Sequence, residues 1–198
     1  ETYRESTDHF AMAGRLIDWL EGRYWFYDQQ GTVTPHQVFK VIQYAADRLK
    51  CKHVIVDSLM KCVRGEEDRD GQKEFVDTVT ALARDLGIHI HLVHHVRKSE
   101  DESKMPGKFD ARGSAAITDL VDNVFVVWRN KPKERAIERQ ARSGVPADPK
   151  ELAKPDTVLL CEKQRNGEWE GSVALWFHAP SLQYTPDHRN LPMDLISN

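Results

Sequence analysis

No stretch of this sequence approaches the roughly 18 apolar residues that a membrane-spanning helix needs, and no signal-peptide pattern opens it. A membrane is therefore not among the expected partners. Cysteine is scarce. Cys51, Cys62 and Cys161 are odd in number and lack metal-type spacing, which excludes a disulfide framework and suits a reducing compartment. A basic excess is missing too: 28 Lys and Arg against 31 Asp and Glu leave a net charge of −3, so any nucleic-acid site must be a local patch. The eleven glycines contain neither a Gly-x-x-x-x-Gly-Lys-Ser/Thr loop nor a Gly-x-Gly-x-x-Gly turn. The backbone-amide cradle for phosphates is thus absent from this chain. No internal repeat or low-complexity tract interrupts it. What remains is an ordinary globular composition, 198 residues with 40% hydrophobic and 30% charged, enough to bury a core without staples. The chain opens at Glu1 rather than methionine, and we expect a piece of a longer polypeptide.

Apolar periodicity orders the elements. Phe10, Ala13, Leu16, Ile17 and Leu20 recur at helical spacing between about Asp8 and Leu20. Tyr24-Trp25-Phe26-Tyr27 reads as a short aromatic strand. Thr34, Pro35 and Gln37 then mark a helix start, with a cap, a first-turn proline and a Thr-x-x-Gln capping box. Val38, Val41, Ile42, Ala45 and Leu49 form its buried stripe. The β-branched run His53 to Val56 predicts a strand covered on both faces. Phe75, Val79, Leu82, Ala83 and Leu86 predict another helix, closed by Gly87 as a left-handed cap. Strands follow at Ile88 to Val93 and Val124 to Trp128, separated by a long loop and a short helix. Pro132 to Pro155, rich in charge and proline, reads as a mobile edge insertion (about 130–156). Thr157 to Lys163 and Ser172 to Phe177 flank Asn166-Gly167 and predict an antiparallel hairpin. A tail, 179–198, completes the chain. This alternation predicts an α/β fold, a mostly parallel sheet flanked by helices and finished by a C-terminal hairpin.

Ligands of such sheets bind beyond the carboxyl ends of the strands. Asp57, directly after Val54-Ile55-Val56, is placed to hold Mg²⁺ directly or through water, or else to cap the next helix. His94 and His95 end the next strand. With His89 and His91 they invite a metal reading, but alternation turns His89 and His91 to one face and His94 to the other, and the run lacks a neighbouring carboxylate. A polar sensor at the strand tip fits better. Lys163 and Arg165 flank the hairpin tip, where an arginine can reach a neighbouring subunit's phosphate or simply face solvent. The loop from Arg97 to Gly113 mixes Arg97, Lys98, Lys104, Lys108 and Arg112 with four acids. Its ending, Arg112-Gly113-Ser114, suits a phosphodiester backbone.

In this order the motifs resemble the RecA-fold motor domain of hexameric, DnaB-like replicative helicases, nearest the phage primase-helicase and mitochondrial helicase branch. The likeness runs from about Trp19 to Phe177. His53-Val-Ile-Val-Asp57-Ser58 resembles the family's Walker B motif, and Val93-His94-His95-Val96-Arg97-Lys98 its strand-end sensor. Asp110 to Asn123 resembles the DNA-binding loop and following helix of the central channel. Lys163-Gln-Arg165-Asn-Gly resembles the motif carrying the trans-acting lysine and arginine finger. The resemblance implies Asp57, His95, Lys163 and Arg165 as catalytic residues and Asp57 on the Mg²⁺ side of ATP. It implies Arg97, Lys98, Lys108, Arg112, Gly113 and Ser114 on single-stranded DNA. It further implies a hexameric ring, possibly with a primase domain, in the cytoplasm of a bacterial or phage-infected cell. The family's Walker A loop, central strand and catalytic glutamate have no counterpart in this sequence. The expectation is the C-terminal part of an ATP-driven helicase domain, inactive in ATP hydrolysis alone. A non-catalytic RecA-like module that binds DNA or a helicase, and a non-helicase RecA-family ATPase, are the alternatives.

Overall fold

A computed structural model of the protein describes residues 9–29, 31, 33–65, 67–95 and 116–193. Its elements, in order, are α1 (His9–Leu20), α2 (Pro35–Asp47), β1 (His53–Asp57), α3 (Leu59–Cys62), α4 (Arg69–Leu86), β2 (His89–Val93), α5 (Ala116–Leu120), β3 (Asn123–Arg129), α6 (Lys131–Ser143), α7 (Pro149–Leu152), β4 (Thr157–Gln164), β5 (Gly171–His178) and β6 (Gln183–Thr185). The contacts divide the chain into two units. One comprises residues 29–126 and 161–171, the other residues 1–28, 127–160 and 172–198.

The first unit holds the main apolar core. Helix α2 starts where the sequence places it: the Thr34 side chain accepts from the Gln37 amide, and the Gln37 side chain accepts from the Thr34 amide. Two otherwise orphaned donors are thereby satisfied, typically worth ~1 kcal/mol. Helix α4 is capped by Asp68, whose carboxylate accepts from the Gly71 amide, and it ends on Gly87 at φ 61°. Gly87 sits in the left-handed region, where a side chain would be strained. Strands β1 and β2 pair in parallel, His53 opposite His89 through Asp57 opposite Val93. Their Val54, Val56, Ile90 and Leu92 pack against Val38, Ile42, Leu59, Phe75, Val76, Val79 and Ile117. Phe75, 1% exposed, stacks on Phe39 with ring centroids 5.3 Å apart. Among the described residues, only one face of this pair is packed into the core. Ile55 stays 59% exposed on the other, where the sequence predicts burial on both.

The second unit carries α1, α6 and α7 and most of a four-stranded sheet of order β3-β4-β5-β6. β4 and β5 are the predicted hairpin arms, and β5 pairs antiparallel with β6. The expected mobile insertion is a helix. The Asn130 side chain caps α6 by accepting from the Lys133 amide and donates to the Pro155 carbonyl at 2.9 Å. Gly144, at φ 70°, closes it. Lys133 is buried, donates to the Lys154 carbonyl at 2.6 Å, and pairs with Asp156 at 2.8 Å. Asp156 in turn accepts from the Phe177 amide. These bonds fix both ends of 130–156. The expected tail contains β6. The expected aromatic strand is not formed: residues 24–27 are irregular, exposed from 43% (Trp25) to 82% (Phe26), and pair with no strand among the described residues. An aromatic run favours a strand only when a partner edge and a buried face are available.

Candidate nucleotide and nucleic-acid site

Two predicted site residues lie at one end of the parallel pair. Asp57 is the last residue of β1 and stands opposite Val93, the last of β2; His95 follows two residues later. Both side chains are exposed at the carboxyl ends, where this architecture binds ligands. The helix-cap role for Asp57 is not realised. Ser58 occupies the N-cap of α3, and the Asp57 carboxylate has no hydrogen-bond or ion-pair partner among the described residues. The Asp57–Ser58 peptide is cis. Immediately behind it the chain turns inward: Ser58 is 5% and Leu59 0% exposed. Cys62 lies beneath, its thiol donating to the Ser58 carbonyl at 3.6 Å, and burial pushes its pKa up. It is thus a protonated packing residue. One free carboxylate on a rigid, dry base is a hard oxygen donor of the kind Mg²⁺ takes beside phosphate oxygens.

Lys163 and Arg165 are brought together, on an acceptor the sequence did not reveal. The Lys163 ammonium donates to the Thr118 and Asp119 carbonyls at 2.9 and 2.8 Å. Arg165 donates to the Asp122 carboxylate at 2.9 Å and to the Asp119 carbonyl at 3.2 Å, and its amide donates to the Asp122 carbonyl. Both cations therefore serve the last carbonyls of α5, which carry the helix's negative partial charge. Thr118, Asp119 and Asp122 are site residues that sequence reasoning missed. Their spacing, two acids three residues apart with one in a short helix and one just after it, was the available signal. Lys163 and Arg165 thus grip the element that begins directly after residues 96–115. Arg97, Lys98, Lys108, Arg112, Gly113 and Ser114 lie outside the described residues.

The histidines sort as alternation predicts, with an addition from β1. His53, His89 and His91 share the exposed face of the pair. The His53 Nδ1 and His91 Nε2 atoms lie 3.1 Å apart, and the His89 and His91 rings 4.3 Å. Desolvation, then the charges of His89 and His53, lower the His91 pKa. Among the described residues no group of three His, Cys, Asp or Glu side chains is arranged to hold a metal ion. Nor is any described helix long and apolar enough to cross a membrane.

The family described as AAA domain matches residues 3–101. A DNA helicase/primase of Enterobacteria phage T3 is 22% identical over 134 residues, which is 61% of this chain and 24% of the phage protein. The chain thus spans about a quarter of that relative. A KaiC-like protein from Pyrococcus horikoshii has a similar structure, with a TM-score of 0.54 at 12% identity over 94% of this chain and 72% of that one. That likeness establishes a RecA-like α/β fold.

Proposed function

The chain belongs to the AAA domain family, and from that premise we propose that it works within an ATP-dependent DNA helicase of the replicative, DnaB-like type. Such a helicase encircles single-stranded DNA as a hexameric ring. The observation that carries this reading is the placement of Asp57, without a partner among the described residues, and of His95 at the carboxyl ends of β1 and β2. The phage helicase/primase among its relatives supports the choice of DNA as substrate.

Magnesium-bound ATP, when present, supplies the phosphoanhydride to be cleaved. Asp57 fits the metal side, since its carboxylate is exposed, without a partner among the described residues, and set on a buried base. His95, two residues past β2, would donate from its imidazole to a terminal phosphate oxygen. Lys163 and Arg165 carry positive charge toward the nucleotide of the neighbouring subunit. In the structure they hold α5 instead, so Arg165 must exchange Asp122 for phosphate when it acts. That exchange gives a route from nucleotide to DNA. Loosening or tightening the grip on α5 displaces the segment ending in Arg112, Gly113 and Ser114, which holds the DNA backbone. The sequence without a Gly-rich phosphate cradle supplies only part of the nucleotide site. This favours, as second reading, a RecA-like module that binds DNA or a helicase without catalysis.

Two assays decide. Full-length protein should unwind forked DNA with ATP, whereas the 198-residue chain alone should show negligible turnover. Turnover by the isolated chain at helicase-like rates would refute the division of labour. Absence of unwinding by a full-length protein that nevertheless binds DNA would favour the second reading.

A further inference from the structure

Helix α6 concentrates charge in a chain that is acidic as a whole. Its thirteen residues carry five cations, Lys131, Lys133, Arg135, Arg139 and Arg142, against two acids, Glu134 and Glu138. The structure separates these charges by face. Lys133 points inward and is neutralised by Asp156. At about 100° per residue, Arg142, Arg135 and Arg139 fall within about 60° of arc on the opposite side, and all three are exposed. Glu134 is held by Arg129 at the flank, and Glu138 also acts on Arg129. Arg139 and Arg142 have no ion-pair partner among the described residues. The result is a ridge of three exposed guanidinium groups with Glu134 and Glu138 along one flank.

We propose that the solvent face of α6 is a nucleic-acid contact, in which Arg135, Arg139 and Arg142 bind the phosphodiester backbone without reading bases. Charge and spacing suit a phosphate chain, which carries one negative charge per nucleotide. The three positions span about 10.5 Å at ~1.5 Å per residue, about the axial run of four successive phosphates of a duplex strand at ~3.4 Å per step. The planar fork of Arg matches phosphate oxygens in pairs. The described face has no aromatic platform, so stacking and base selection are not expected. This contact uses none of the residues of the 97–114 loop and stands whether or not the protein is a motor.

The experiment is fluorescence anisotropy of the intact chain on labelled oligothymidylate across salt concentrations. Arg135→Ala/Arg139→Ala/Arg142→Ala is compared with Arg112→Ala. Alanine is a strong helix former, so circular dichroism should show α6 retained. The triple variant should lose about 2 units of salt slope, three contacts at ~0.7 each on a single strand. Affinity at low salt should fall at least about tenfold. Glu138→Gln, which removes an acid beside the ridge, should tighten binding about two- to threefold. It provides a readout even if the triple variant misfolds. Unchanged slope and affinity in the triple variant would overturn the proposal. So would loss of binding to labelled polyglutamate with DNA binding intact, which would mark a protein-facing surface. Arg112→Ala reports on the loop alone, so a null result there tells against the motor reading and leaves α6 standing.

Discussion

Lys163→Met offers a quantitative handle on the grip that Lys163 and Arg165 exert on α5. Methionine keeps the length and most of the apolar stem but removes both bonds to the Thr118 and Asp119 carbonyls. Asp119 is exposed, so water replaces the ammonium at its carbonyl at little cost. Thr118 is 9% exposed, and its carbonyl loses a charged donor with little access to solvent. A charged hydrogen bond removed from a largely buried acceptor costs about 1.5–3 kcal/mol. For a protein of this size that is a drop in Tm of roughly 3–12 °C. Calorimetry measures the total. Hydrogen exchange measures its location, and protection in α5 should fall more than in α2 or α4, which are held by the apolar core. A Tm within 1 °C of wild type, with unchanged exchange in α5, would show that the two bonds do not hold that helix. The coupling of nucleotide to DNA would then lose its structural basis.

Phe75→Ala removes a ring that is 1% exposed and stacked on Phe39; a loss of about 3–5 kcal/mol in urea denaturation is expected. A loss under 1 kcal/mol would misplace the core. Lys133→Met leaves the Asp156 charge with the Phe177 amide but without its cation, and should cost about 2–4 kcal/mol. Lys133→Met/Asp156→Asn should recover part of it; no recovery would mean that the pair is not what fixes α6. The pKa of His91 is lowered in the folded protein by desolvation, His89 and His53. The unfolded chain therefore binds more protons in mildly acidic solution. This contribution to stability is present above the unfolded pKa of about 6.5 and is lost as pH falls through and below it. Tm measured from pH 8 to pH 5.5 should decline, less steeply in His91→Gln; identical profiles would remove the cluster from the pH response.

Legibility in the sequence followed how local the determining physics is. The capping box at Thr34–Gln37, the glycine at 87 and the β-branched run before Asp57 state their structures within a few residues, and each forms where expected. The hairpin around Asn166-Gly167 is legible for the same reason. Residues 130–156 carry equally local signals, Asn130, Pro132 and Gly144, but their charge and proline content masked them. The burial of Lys133 by Asp156, over twenty residues away, could not be seen without the fold. Tyr24 to Tyr27 shows the converse: strand propensity without a partner edge. At the site, Asp57 and His95 were legible because parallel strands bring their carboxyl ends together. The acceptors of Lys163 and Arg165 were not, because a hairpin tip that projects outward and one that folds back onto α5 have the same sequence. His53 joined the histidine cluster through the register of β1 against β2, which hydrophobic patterning alone does not specify.

The central claim is that Asp57, His95, Lys163 and Arg165 act on ATP in a DNA-driven motor. Its most direct test is single-strand-stimulated ATP turnover by full-length protein carrying Arg165→Ala, with nucleotide affinity measured alongside. The account predicts a loss of stimulated turnover of about 10³-fold or more, the scale of an arginine finger, with nucleotide affinity largely retained. Stimulated turnover at the wild-type rate in that variant would contradict it.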